Sequence, residues 1–285
     1  MNNNKNQTMA SIYNLLAGKK GARFTTLLAM INYASSAGKA ELAQVLPKAE
    51  ALDGVMSEWE SDAAKIRQLY SVLYEAAGKH SMGEEAHWLR IKFLKTLQGQ
   101  KCDAAALEQA SLAVGEAISN PKVFQFDDYL ELDAIKALKA DASHAPVYAL
   151  LDLFSKDDLA AFNTFCGSNA AVLSKLKLDK EACVFKMRLL SLCSLASRQD
   201  SISYADIATC LQVGVEEVEM WAIKAMQAKL MDAKLDQLTR RLIINHCPAR
   251  LFSKSQWSGM RGTNSQKYSI QHLYIYIVNI QGTDF

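Results

Sequence analysis

The stretch from Ser201 to His246 carries the densest set of local folding signals in the chain. Ser203-Tyr-Ala-Asp206 has the Ser/Thr-x-x-Asp/Glu form of a capping box, in which a side-chain oxygen satisfies amides left unpaired at a helix start. Ile207 and Leu211 follow at helical spacing, and Gly214 ends that run. A second helix is expected from Val215, because Glu216 and Glu217 in its first turn complement the helix dipole. Its buried face would be Val218, Trp221, Ala222 and Ala225. Lys234-Leu235-Asp236 and Arg241-Leu242-Ile243-Ile244 then read as short strands joined across Gln237 to Arg240. Helix, helix, strand, strand is the order of a winged helix, with Ile207, Leu211, Val218, Trp221 and Ala225 as its core.

Upstream, from Met9 to about Ala196, the pattern is helix after helix with short breaks. Phe24, Leu27, Leu28 and Ile31 recur at i, i+3, i+4, i+7, and Ile66, Leu69, Tyr70 and Leu73 do the same, so each set makes one apolar stripe. Ser81-Met-Gly-Glu84 and Ser155-Lys-Asp-Asp158 read as further capping boxes, and Gly38, Pro47, Gly99, Pro121 and Pro146 as punctuation. About nine helices fit this region. No strict fixed-length repeat emerges, although helix pairs of roughly 35 to 40 residues suit a degenerate array. The segment from Lys180 to Ala196 is apolar nearly all round and is expected to be the central helix that the wing packs against. The expected fold is mainly α: an array of antiparallel helical repeats followed by a C-terminal winged helix. With four prolines and few glycines, the two parts are expected to form one body.

Half of the 285 residues are hydrophobic, enough for a large core without staples, and a net charge of +2 gives no global attraction to nucleic acid or anionic membrane. Six cysteines stand singly in apolar helical patterns with no C-x-x-C pair, which reads as reduced core residues of a cytoplasmic protein. Met1 to Thr8 is polar and Asn-rich, so no signal peptide is expected, and the apolar run Leu273 to Ile280 is too short to span a bilayer.

Signs of chemistry are sparse. Five histidines include no H-x-H or H-E-x-x-H, and the chain lacks a P-loop, G-x-G-x-x-G and G-x-S-x-G. Glu84-Glu85-Ala86-His87 has a spacing that can put two metal ligands on one helix face, but a carboxylate metal site needs further inward Glu residues, so a solvated helix start is the expectation. Asp127, Asp128, Glu131 and Asp133 read as a solvated face. No catalytic, cofactor-binding or metal-ligating residue is assigned.

A winged helix often reads DNA with its second helix. Here that helix carries Glu216, Glu217 and Glu219 against Lys224 and Lys229, and leading carboxylates oppose the phosphate attraction that supplies most non-specific affinity. No sequence-specific nucleic-acid binding is expected, although Arg240, Arg241 and Arg250 could touch RNA in an assembly. Protein contact remains. A two-stranded wing has open backbone edges, so Leu242, Ile243 and Ile244 are expected to accept a partner's strand.

Helical repeats followed by a winged helix with Lys-Leu-Asp-Gln (Lys234 to Gln237) resemble the PCI domain, shared by the proteasome lid, the COP9 signalosome and a translation initiation factor. Further matching segments are Asn120-Pro-Lys-Val-Phe-Gln-Phe-Asp-Asp128, Lys186-Met-Arg-Leu-Leu190, Ile202-Ser-Tyr204 through Gln237, and Phe252-Ser-Lys-Ser-Gln-Trp257. They cover roughly Ser11 to Trp257. The resemblance divides the chain into a helical-repeat region (9–120), a PCI domain (121–250, with a helical part 121–197 and a winged helix 198–250) and a divergent tail (251–285). It implies a non-catalytic scaffold of the eukaryotic translation initiation factor 3 complex, supporting assembly and mRNA and initiator-tRNA recruitment to the small ribosomal subunit. The implied partners are other PCI and MPN subunits, with no membrane and no cofactor, and Phe252 and Trp257 join Leu242, Ile243 and Ile244 as interface residues. The alternative is a PCI scaffold of the COP9 signalosome. The long helical region before Pro121 and the F-x-K-x-x-W ending favour the initiation factor. Ser258 to Phe285 departs from the family's polar, charged helix, having little charge and strand propensity, as an alternative exon end would.

Overall fold

Aspartates set where four of the helices begin. Asp62, Asp103, Asp158 and Asp179 accept backbone N–H groups from Lys65 at 3.2 Å, Ala106 at 2.8 Å, Ala161 at 3.0 Å and Ala182 at 3.0 Å. Each satisfies a donor that the helix itself leaves unpaired. The computed structural model describes residues 2–16, 18–45 and 62–247, and within them the chain is a helical array that ends in a winged helix. The array comprises α1 (Asn2–Leu15), α2 (Lys20–Ala37), α3 (Lys39–Val45), α4 (Ala63–Lys79), α5 (Gly83–Lys95), α6 (Ala104–Ser119), α7 (Asp127–Glu131), α8 (Asp133–Leu138), α9 (Ala145–Lys156), α10 (Leu159–Ser168), α11 (Ala170–Lys175) and α12 (Lys180–Ala196). The winged helix follows as β1 (Ser201–Ser203), α13 (Tyr204–Leu211), a 3-10 turn (Val215–Glu217), α14 (Val218–Gln227), β2 (Asp232–Asp236) and β3 (Arg241–His246).

Three apolar cores run along the chain. In the first, the stripes of α2 and α4 meet: Phe24, Ile31, Leu69, Tyr70 and Leu73 are buried, with Leu27, Leu28 and Ile66 packed at their margin. The second gathers around α6, whose Ala106, Ala110, Ala113 and Ala117 form a small-residue stripe that lets neighbouring helices approach closely. Its centre is a run of rings: Phe126 meets Phe154 at 6.1 Å and Phe154 meets Phe162 at 5.5 Å, both edge to face. The third is the winged helix. α12 serves two of them, because Cys183, Met187 and Leu190 belong to the second core while Leu189, Leu192 and Ala196 belong to the third. The expected central helix therefore exists, with the expected bounds. The second core runs across residue 120 without interruption, from Ile118 to Phe126, so a boundary there marks a change of sequence pattern and not a gap in packing.

Several expectations are corrected. Ser81 caps nothing: it takes a left-handed conformation (φ 55°) that closes α4, and α5 starts at Gly83 after Met82. Ser155 lies inside α9, and the cap of the next helix is Asp158. The array contains twelve described helices instead of about nine, because α3, α7, α8 and α11 are too short to show a period. Pro146 sits in the first turn of α9, where its missing N–H costs nothing. Pro47 and the tail from 248 onward lie outside the described residues.

Lys177 closes α11 in a left-handed conformation (φ 53°) with an exposed side chain. Glycine adopts that conformation without steric cost, so Lys177→Gly is expected to raise stability by about 0.5–1 kcal/mol in urea denaturation, and a loss would contradict the strain.

Candidate assembly surface

Ser203 does two jobs at the start of the module. It ends β1, and its Oγ accepts the Asp206 backbone N–H at 3.1 Å while donating to Asp206 Oδ2 at 2.6 Å. α13 and α14 then bury Ile207, Leu211, Val218, Trp221, Ala222 and Ala225 against Leu189 and Leu192 of α12. Glu219 ties the parts together, accepting from the Tyr204 hydroxyl at 3.2 Å and from Gln237 of the hairpin at 3.0 Å. Burial first, then this carboxylate, pushes the Tyr204 phenol up. At the hairpin tip Asp236 accepts N–H groups from Leu238 at 3.1 Å and Thr239 at 3.2 Å, and the bonds from Thr239 hold its carboxyl below the usual range.

The wing corrects the sequence reading in one important respect. It has three strands in the order β1-β3-β2, so β3 is central and antiparallel to both neighbours. Ile243 faces Ser201 on one side and Lys234 on the other. The backbone of Leu242 to Ile244 is already paired on both sides and cannot accept a partner's strand. Leu242 is 0% exposed and belongs to the core, Ile244 packs at its margin, and Ile243 points outward at 40% exposure. The backbone edges belong to β1 and β2, and β2 sets Asp232, Lys234 and Asp236 along its edge. Arg241 is spent on β1, donating from Nε to Ser201 Oγ at 2.7 Å and from its terminal nitrogen to Ser201 O at 3.2 Å. Phe252, Trp257 and Arg250 lie outside the described residues.

A buried lysine fastens α12, which carries the winged helix, to the end of α6. Lys186 of α12, 4% exposed, donates from Nζ to the carbonyls of Ala117 and Ile118 at 3.0 Å and of Asn120 at 2.8 Å, under the rings of Phe124 and Phe126. The Ala117 and Ile118 carbonyls are ones that the end of α6 leaves unpaired, the Asn120 carbonyl also accepts the Val123 N–H at 3.2 Å, and the negative end of the helix dipole favours the ammonium. Burial opposes that and pushes the Lys186 pKa down to about 7. Phe124 touches both the second and the third core. Two segments matched separately in the sequence, Asn120 to Asp128 and Lys186 to Leu190, are thus one junction.

The Glu84…His87 pair does not converge. Glu84 turns to Lys122 at 2.7 Å, while the His87 ring nitrogens lie 3.0 Å from Glu116 Oε2 and 2.9 Å from the Tyr129 hydroxyl. Arg90 joins Glu116 at 3.1 Å and Gln109 at 3.0 Å, and burial pushes the Tyr129 phenol up to about 12. This is a polar network that stitches α5 to α6 and α7. Among the described residues no three His, Cys, Asp or Glu side chains group as metal ligands, and no helix is long and apolar enough to cross a membrane. All six cysteines are free thiols, and burial pushes Cys183 up to about 11, far from the thiolate form that reacts.

A helical array closed by a three-stranded winged helix defines a PCI protein, and the PCI domain model matches residues 166–246. The chain is 30% identical over 282 residues to eukaryotic translation initiation factor 3 subunit M of Dictyostelium discoideum, covering 98% of this chain and 69% of that protein. It is 33% identical to the subunit M of Chaetomium globosum over 269 residues (92% of this chain, 62% of that one) and 33% identical to that of Nematostella vectensis over 225 residues (79% and 58%). The chain belongs to the family of eukaryotic translation initiation factor 3 subunit M. It spans less than two thirds of the Chaetomium and Nematostella proteins.

Proposed function

We propose that this chain is a non-catalytic scaffold subunit of the eukaryotic translation initiation factor 3 complex, acting in the cytoplasm. In that role it supports assembly and, through the assembly, recruitment of mRNA and initiator tRNA to the small ribosomal subunit. The carrying observation is family membership over 98% of the chain, including the winged helix. The partners in this reading are other PCI and MPN subunits, and the wing is the meeting surface. The correction to β3 moves strand addition to the β2 edge, Asp232 to Asp236, with Ile243 and Lys234 presented beside it. Phe252 and Trp257 extend the proposed interface beyond the described residues.

Direct reading of nucleic acid by α14 finds little support, because Glu219 is held by Tyr204 and Gln237 and Glu216 and Glu217 stand exposed at its leading end. The test is recovery of initiation factor subunits with tagged chain carrying Ile243→Asp. Recovery is expected to fall about tenfold, as removal of one outward apolar contact beside a strand interface implies. Unchanged recovery would count against the wing as the meeting surface.

A further inference from the structure

The last turn of α12 and the residue that follows β3 bring two thiols together. Cys247 Sγ donates to the carbonyl of Cys193 at 3.5 Å and to that of Leu230 at 3.6 Å, so it sits between the end of α12 and the turn leading from α14 into β2. The side chains of the two cysteines also hydrogen-bond one another. Their surroundings differ: Cys193 is 5% exposed, whereas Cys247 is half-buried at the margin of the third core. They stand 54 positions apart in the chain, and every element of the winged helix from β1 to β3 lies between them.

The thiols of this chain are not alike. Burial pushes Cys102, Cys166, Cys183 and Cys210 above the ordinary thiol range. Cys247 goes the other way, because the hydrogen bond with the Cys193 side chain outweighs its burial. Protonated, Cys247 gives its hydrogen to the two carbonyls; ionised, it accepts the hydrogen of Cys193. The thiolate is the form that attacks an oxidant, and oxidation favours a partly exposed, more acidic thiol that has a second thiol poised beside it. Cys247 meets the first requirement and Cys193 supplies the second. Cys166 and Cys183 are also neighbours, but both are buried and both are raised.

We propose that Cys193 and Cys247 form a peroxide-sensitive disulfide that closes the winged helix into a covalent loop. Cys247 attacks one oxygen of hydrogen peroxide: a sulfur–oxygen bond forms, the oxygen–oxygen bond breaks, and the departing hydroxide takes up the Cys247 proton as water. Cys193 then attacks the sulfur of the resulting sulfenic acid. The sulfur–sulfur bond forms, and the hydroxyl group leaves with the Cys193 proton as a second water. In all, the two thiols lose two electrons and two protons, and one peroxide becomes two waters. A dithiol reverses the step by exchange. The bond ties the last turn of α12 to the end of the central strand, so it restrains opening of the whole module. It is independent of the scaffold reading.

The test uses the full chain, reduced, desalted, exposed to hydrogen peroxide, then alkylated and digested with trypsin without reductant. Peptides 189–198 and 242–250, which hold Cys193 and Cys247, are expected to appear joined in mass spectra as the most abundant intramolecular disulfide. Cys193→Ser is expected to stop at a Cys247 sulfenic acid that dimedone captures. Cys247→Ser is expected to leave Cys193 open to alkylation after the same peroxide dose. Oxidised wild type should unfold at higher urea than the reduced chain, a difference that dithiothreitol removes. A main link between Cys166 and Cys183, links between separate chains, or Cys247 still fully alkylated at doses that oxidise the other cysteines would overturn the proposal. So would a joined peptide that forms only once the chain has been unfolded in urea.

Discussion

Leu242→Asp is expected to unfold the winged helix, at a cost of about 4 kcal/mol or more, while Ile243→Asp one residue later stays within about 1 kcal/mol of wild type. The two side chains leave the same central strand on opposite faces, since successive strand residues alternate. Leu242 is enclosed by the core that includes Ile207, Trp221 and Ala233, whereas Ile243 faces solvent between Ser201 and Lys234. A carboxylate at the first position has no charge partner and no water. At the second it stands beside Lys234, which moderates its cost further. Far-ultraviolet circular dichroism and urea titration of the two variants check this, and equal stabilities would contradict the assigned face of β3.

The second large effect lies in the array. Phe154→Ala is expected to cost about 3–5 kcal/mol, the range for emptying a large aromatic site in a core that cannot collapse to fill it. Phe154 is completely buried and is the middle ring of the run from Phe126 to Phe162, so truncation removes both edge-to-face contacts together. The consequence extends past α9. Phe126 also lies over Lys186, and loosening it weakens the junction that seats the winged helix. A single shift of the whole thermal transition, and not a separate early step confined to the array, is the expected profile. Phe154→Leu should recover roughly half of the loss by refilling part of the volume.

The elements with long, regular stripes were legible in the sequence. α2 and α4 are legible because their apolar residues recur with the helical period, α12 because it is apolar nearly all round, and α13 because Ser203 and Asp206 form a capping box. What was missed has physical reasons. α7 and α8 share Leu132 as the end of one and the start of the other, leaving each less than two turns in which to show a period. The helix starts at Asp62, Asp103, Asp158 and Asp179 depend on one carboxylate each, so a search for paired capping residues passes over them and picks Ser81 and Ser155 instead.

β1 is only Ser-Ile-Ser, too short and polar to read as a strand, and its omission turned a central strand into an apparent edge. The expected strand-accepting edge therefore fell on β3, whose backbone is paired on both sides. The burial of Lys186 has no local signature at all. Its three carbonyl partners come from residues 66 to 69 positions earlier.

The central claim is membership of a translation initiation complex through the winged-helix module. Quantitative mass spectrometry of the complex recovered with the full chain from native eukaryotic extract tests it most directly. The expected result is a set of translation initiation factor 3 subunits at near-stoichiometric amounts, in fractions that also contain the small ribosomal subunit. Recovery of COP9 signalosome subunits in their place, or of the chain alone under conditions that keep it folded, would contradict it.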